Sequence, residues 1–178
     1  MIGLIVRNTG SSYLVRTADN TFVECRVKGN FRIKGIKSTN PVAVGDRVSF
    51  EVMTDGIGWI TDIEERKNYI IRRPANLSKQ LHIIASNVDQ LMLIVTVNHP
   101  ETSTVFIDRV LATAEAYQVP ATVVINKIDL YTAEELDYMK ALTVLYESIG
   151  YEVVSISAKR GTNVDKLLSM LKGKTTLL

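Results

Sequence analysis

The stretch Ala121–Leu130, Ala-Thr-Val-Val-Ile-Asn-Lys-Ile-Asp-Leu, decides how the chain is read. An apolar, largely β-branched run has the pattern of a buried strand and delivers Asn126, Lys127 and Asp129 together at its carboxyl end. That trio suits a guanine base. Guanine presents N1–H and its exocyclic amino group side by side, and one carboxylate, that of Asp129, can accept from both. Adenine has no such donor pair and would leave the carboxylate desolvated and unpaired, so the acid sets the choice of base. Asn126 is expected to tie the loop down and reach the other edge of the purine. The stem of Lys127 is expected to lie along a ring face with its ammonium in water.

Around this stretch, strands and helices alternate. Leu91–Val97 is a near-continuous apolar run, as expected of a strand covered on both faces. Ile107, Val110, Leu111 and Ala114 then recur at helical spacing. Thr132 with Glu135 forms a capping-box pattern, and the helix it opens has Leu136, Met139, Leu142, Leu145 and Ile149 as its apolar set, with Gly150 closing it. Val153–Ile156 is another strand. Val164, Leu167, Leu168 and Leu171 define a last amphipathic helix, and Thr175–Leu178 reads as a strand just beginning. Such alternation implies a parallel sheet with right-handed crossovers. Parallel strands end on one edge, so the loop after Ile156, with Ser157, Ala158 and Lys159, is predicted to neighbour the loop after Ile125. There an N–H near Ala158 can donate to the purine O6, Lys159 can cover the face opposite Lys127, and Ser157 can hold Asp129.

The N-terminal part has another rhythm. Gly3–Arg7, Ser12–Thr17, Thr21–Lys28, Asp46–Met53 and Gly58–Ile63 read as five short strands separated by turn residues. They suit a small closed barrel of the OB type, with an SH3-like barrel giving nearly the same pattern. Residues 1–73 carry 12 Lys or Arg against 8 Asp or Glu, and the remainder 9 against 11. The basic excess permits a polyanionic partner. Arg16, Arg26, Lys28, Arg32, Lys34 and Lys37 are candidate phosphate contacts, and Trp59 or Tyr13 a candidate stacking platform for a base. Glu64–Ala85 is read as a linker ending in a short strand, Leu81–Ala85. The domain division falls within it, as 1–73 and 74–178. Cys25 is the only cysteine, which excludes an intrachain disulfide and a cysteine zinc site within these residues. The apolar stretches are too short to span a bilayer and Met1–Val6 lacks the features of a signal peptide, so no membrane role and a cytoplasmic location are expected. His82 and His99 receive no role.

No Gly-x-x-x-x-Gly-Lys-Ser/Thr loop occurs. Gly173-Lys174-Thr175 follows a helix rather than a strand, and Asp55-Gly56-Ile57-Gly58 sits in a hairpin turn, so neither is read as a phosphate-binding element. In an ordinary GTPase the phosphate loop comes first; here the base-reading loops do. In that order the chain resembles the circularly permuted GTPases of the ribosome small-subunit-dependent GTPase A family (RsgA, also called YjeQ). The resemblance covers the whole length: the barrel, Arg73-Pro74-Ala75, the run Ile84–Gln90, Ile107-Asp108-Arg109, Asn126-Lys127-Ile128-Asp129 and Ser157-Ala158-Lys159.

The resemblance implies an OB-like barrel followed by an incomplete α/β domain of the circularly permuted P-loop GTPase kind. It implies a GTPase that binds GTP or GDP with magnesium and binds the small ribosomal subunit and its rRNA during late maturation, as a monomer. It further implies that the phosphate loop, the switch segments and a zinc-binding domain follow Leu178. The 178 residues are therefore expected to be a truncated piece with no catalytic residue and no metal ligand of its own, inactive alone. The competing expectation is a non-catalytic RNA-binding adaptor whose α/β half docks a protein.

Overall fold

The computed structural model of the protein describes residues 1–27, 41–72 and 82–178. Lys28, Arg32, Lys34, Lys37 and the Arg73-Pro74-Ala75 joint lie outside the described residues. The chain divides into two compact units, Met1–Asn87 and Val88–Leu178.

In the first unit, β1 (Ile2–Asn8), β2 (Tyr13–Thr17), β3 (Phe22–Val27), β4 (Arg47–Val52) and β5 (Gly58–Ile63) match the five expected strands. They close into a barrel in the order β1-β2-β3-β5-β4, with β3 and β5 parallel and β1 returning to β4. A closed five-stranded barrel whose strand order departs from chain order is the Greek-key OB architecture, not a simple meander. Alternation along each strand sends Ile5, Val15, Cys25, Val48, Phe50 and Ile60 inward. Arg16, Glu24, Arg26 and Arg47 point to solvent. Burial pushes the Cys25 thiol up to about 11, so it is an unreactive core filler. Gly58 is needed beside it, because a Cβ there would lie 2.3 Å from the Cys25 sulfur.

The segment read as a linker contains a strand that short-range pattern did not show. β6 (Tyr69–Arg72) pairs antiparallel with β7 (His82–Ser86). Four residues between charged flanks are too few for a visible alternation. A polar knot ties this hairpin to the loop before β4. Asp46 is fully buried and accepts from Arg66 Nε at 2.7 Å and Nη2 at 2.6 Å, from Ser86 Oγ at 2.6 Å, and from the Ala43 N–H at 2.8 Å. Beside it Gly45 lies at φ 95°, and a Cβ there would stand 2.0 Å from the Ser86 carbonyl oxygen. The approach therefore demands glycine for both space and conformation.

The second unit is a parallel sheet with β8 (Gln90–Val95), β9 (Ala121–Ile125), β10 (Glu152–Ser155) and β11 (Thr176–Leu177), in the order β10-β9-β8-β11. Helices α1 (Thr104–Ala116), α2 (Ala133–Ser148) and α3 (Val164–Leu171) connect the strands. Leu93, Val95, Val123, Ile125 and Val153 pack with Ile107, Leu111, Leu142 and Tyr146 of α1 and α2. On the other face Met92, Val124 and Val154 pack with Leu167, Met170 and Leu171 of α3. Both faces are covered, which is why these strands read as unbroken apolar runs.

Two helix faces differ from the expected ones. In α2 the step of four from Leu142 lands on Tyr146, 1% exposed, while Leu145 and Ile149 are 49% and 62% exposed. Tyr146 takes the core place because its hydroxyl donates to Asp108 of α1 at 3.0 Å, satisfying its polar end. In α3 Met170 faces the sheet and Leu168 is exposed. The reciprocal Thr132–Glu135 box caps α2 as the spacing implies, and α1 is capped by Ser103, whose side chain accepts from the Phe106 N–H.

Removing Asp46 leaves the Arg66 guanidinium, whose side chain is 6% exposed, without its counter-ion. Asp46→Ala is expected to cost roughly 3–5 kcal/mol in the barrel unit. Urea unfolding followed by Trp59, the only tryptophan, reads that unit directly, and an unchanged midpoint would contradict the assignment.

Candidate functional site

The register of the parallel sheet brings three turns to one rim. Val95 pairs with Ile125 and Ile125 with Ser155, so β8, β9 and β10 end level with one another. The ladder continues past the strand ends through Asn126 N–H to the Val95 carbonyl and Ile156 N–H to the Ile125 carbonyl, both 2.8 Å. The turns after β9 and β10 are thus neighbours, as the parallel pattern required.

Within the first turn Lys127 sits at φ 68°, a left-handed conformation uncommon for a long side chain. Local bonds hold it there. Its N–H donates to Asn126 Oδ1 at 2.7 Å, and its ammonium donates to the His99 carbonyl. Asn126 Oδ1 also accepts from the Ala158 N–H at 3.1 Å, so one side-chain oxygen clasps both turns. The Ala158 N–H expected to meet a purine O6 is therefore already engaged, by a long bond that an incoming oxygen can share.

Asp129 lies on the single turn of 3-10 helix Ile128–Leu130. Its side chain is 5% exposed, and Ser157 Oγ donates to Oδ1 at 2.6 Å. Ser157 is itself fully buried and also accepts from the Arg160 N–H at 3.0 Å, which fixes its hydroxyl. The Ser157 bond, helped by the Arg160 and Lys159 charges, holds the Asp129 carboxyl below its ordinary value against the opposing effect of desolvation. Arg160 Nε stands 3.8 Å from Oδ2, but its side chain is 69% exposed. So long and solvated a contact is screened and easily given up, and Asp129 is not locked to a permanent cation.

Around these groups lies a pocket of about 340 Å³ lined by His99, Asn126, Lys127, Asp129, Leu130, Ala158 and Lys159. Its volume is at the lower end for small-molecule sites and suits a nucleobase with part of its sugar. Five of the six residues expected in the guanine site line it, and Ser157 stands behind Asp129. Pattern reading missed His99 and Leu130. It also missed Tyr131, 9% exposed, whose hydroxyl accepts from the Val97 N–H at 2.8 Å and donates to the Asn126 carbonyl at 2.5 Å. The signal for His99 is the strand pattern itself: β8 ends level with β9, so the turn after β8 also opens onto this rim. Nothing in the local sequence marks Tyr131.

On the barrel, Arg16 and Arg26 are exposed. Arg26 pairs in register with Trp59, which is half-buried on the outer face. Tyr13 is only 4% exposed and faces the core, so it is no stacking platform. Among the described residues no group of three or more His, Cys, Asp or Glu side chains converges as a metal site. No described helix is long and apolar enough to cross a membrane.

A closed OB-type barrel followed by a parallel α/β sheet, with Asn-Lys-x-Asp and Ser-Ala-Lys turns at its rim and no preceding phosphate loop, defines the class of circularly permuted GTPases. The chain belongs to the RsgA family: the RsgA GTPase family model matches residues 63–178 and the RsgA N-terminal domain model residues 2–60. It is 60% identical to "Small ribosomal subunit biogenesis GTPase RsgA 2" of Bacteroides thetaiotaomicron over 99% of its length and 57% of that protein. The protein called "Small ribosomal subunit biogenesis GTPase RsgA" in Bacteroides fragilis is 58% identical with the same coverage. Among solved structures, YjeQ from Thermotoga maritima superposes with a TM-score of 0.74 at 34% identity, over 98% of this chain and 58% of that one. YloQ, a circularly permuted GTPase, gives 0.69 at 29% over 98% and 57%. The chain thus spans a little over half the length of the curated relatives it matches.

Ser157→Ala removes the main cause of the Asp129 shift, so the Asp129 pKa is expected to rise toward the ordinary aspartate value. Because that pKa is depressed in the folded state, the stability it confers is present above the unfolded value and lost as pH falls through the folded one. The variant should lose this acid-side dependence. Carboxyl carbon chemical shifts followed against pH measure it, and an unshifted titration would contradict the role of the hydroxyl.

Proposed function

We propose that this chain supplies the base-reading part of a GTPase that binds the small ribosomal subunit and assists its late maturation in the cytoplasm. The observation that carries the reading is Asp129: a carboxylate nearly buried, kept ionised by Ser157, and facing a pocket walled by two lysine stems. One carboxylate there can take both N1–H and the amino group of a guanine. Lys127 and Lys159 cover its two faces with aliphatic carbon while their charges stay near solvent. Asn126 holds the two turns in register, and the Ala158 N–H completes the edge at O6.

Such a site binds and orients the base; it does not perform chemistry. Hydrolysis needs backbone N–H groups and a magnesium ion around the phosphates. Magnesium supplies charge neutralisation there when bound, and no residue of these 178 is proposed to hold it or a zinc ion. By themselves these residues are expected to bind guanosine weakly and to hydrolyse no GTP. The names of the relatives support the subunit as partner. The barrel, in residues 1–73, is the surface proposed to meet rRNA, with Arg16 and Arg26 at phosphates and Trp59 beside Arg26 as a stacking platform. Lys28, Arg32, Lys34 and Lys37 extend the same basic set in sequence. The guanine site belongs to residues 74–178, and the protein is proposed to act as a monomer.

Calorimetric or NMR titration of the chain should show guanosine preferred over adenosine by roughly tenfold or more, with the preference lost in Asp129→Ala. Equal affinity for the two nucleosides, or none for either, would favour an RNA-binding adaptor instead. For the barrel, affinity for small-subunit RNA should fall steeply with salt. The double variant Arg16→Glu, Arg26→Glu should flatten that dependence, its slope dropping by about one for each phosphate no longer neutralised. An unaltered slope would remove this face from the interface.

A further inference from the structure

Three turns leave the level rim of the sheet, and the base-reading residues occupy only two of them. The third, between β8 and α1, places His99 in the same pocket as Asp129 and Lys159. Its course is tied down from several sides. The Val97 N–H donates to the Tyr131 hydroxyl at 2.8 Å, and Asn98 Nδ2 donates to Glu135 Oε1 at 2.7 Å. Glu135 is itself fixed, since its other oxygen accepts from the Thr132 N–H at 2.8 Å in the capping box of α2. The Lys127 ammonium bonds the His99 carbonyl. The turn that carries His99 is thereby anchored to Lys127 of the base site, to Tyr131, which bonds the Asn126 carbonyl, and to the capped start of α2.

The strand order says which part of a guanine nucleoside this turn meets. Asp129 follows β9 and Ala158 follows β10, so a base read by those two presents its N1, amino and O6 edge toward the β9–β10 side. N9, which carries the sugar, lies at the opposite end of the purine. Continuing across the sheet in the order β10-β9-β8, the next pocket wall follows β8, and that wall is His99. Resting on the guanine reading of the site, we propose that His99 is a ribose-binding residue, its imidazole packing against the sugar while its carbonyl keeps Lys127 over the base.

The chain contains two histidines, so its imidazole Cε1–H spectrum is simple. The His99 signal is identified by its loss in His99→Ala or, if that variant fails to fold, by its persistence in His82→Ala. Guanosine titrated into the full 178-residue chain should move the His99 signal on the same saturation curve as the Asp129 and Ala158 amides. 9-Methylguanine, which has the base but no sugar, should move the amides and leave the imidazole in place. His99→Ala should weaken guanosine binding by roughly three- to tenfold without changing affinity for 9-methylguanine. Amide shifts at Asp129 and Ala158 with a stationary His99 signal and unchanged guanosine affinity would overturn the proposal and leave the base site standing. No response of those amides to guanosine would overturn both.

Discussion

The parallel register of β8, β9 and β10 is the constraint on which the rest of this unit depends. Val95, Ile125 and Ser155 stand on one rung, so everything that follows them starts from the same height. Two consequences follow from the pairing alone. Asn126 comes close enough to bond across to Ala158, and Asp129 reaches Ser157, although each pair is about 30 residues apart in sequence. A slip of one residue would also turn Val123 and Ile125 out of one core and Val124 out of the other, so the hydrophobic pattern on both faces defends the register.

The site built on that rim carries its polarity in a particular way. A carboxylate removed from water is costly unless hydrogen bonds compensate it, and the Ser157 hydroxyl supplies such a bond. One acceptor oxygen is thereby engaged, while the other stands 3.8 Å from the solvated Arg160 guanidinium. The result is an acid that is ionised and oriented, with acceptor capacity left for a ligand. The barrel shows the contrasting arrangement. Asp46 has both oxygens taken by Arg66, Ser86 and a backbone N–H, and it serves as a structural knot. Two buried aspartates in one chain thus differ in role because one is fully satisfied and the other is not.

Much of this is legible in the sequence, for reasons that can be named. The five barrel strands are short runs separated by turn residues, with period-two alternation plain in Arg47–Val52, and the strands of the sheet are apolar throughout because helices cover both faces. The Thr132–Glu135 cap is local chemistry and appears where its spacing puts it. What local pattern does not carry is set by packing between distant segments. β6 is a strand because β7 lies beside it; Tyr146 replaces an aliphatic residue in the α2 face because Asp108 waits for its hydroxyl; Tyr13 is core and Trp59 is on the outer face because of barrel closure. His99 lies in the site because of strand order, which governs all three turns at the rim although only two of them carry a recognisable motif.

The central claim is that the Asp129 carboxylate reads the N1–H and amino donors of a guanine. The most direct test exchanges that acceptor for a donor and changes the base to match. Xanthine carries an oxygen where guanine carries its amino group, so Asp129→Asn should bind xanthosine in preference to guanosine, reversing the preference of the unaltered chain. If the variant keeps preferring guanosine, or if neither chain distinguishes the two nucleosides, Asp129 does not read the base and the account fails.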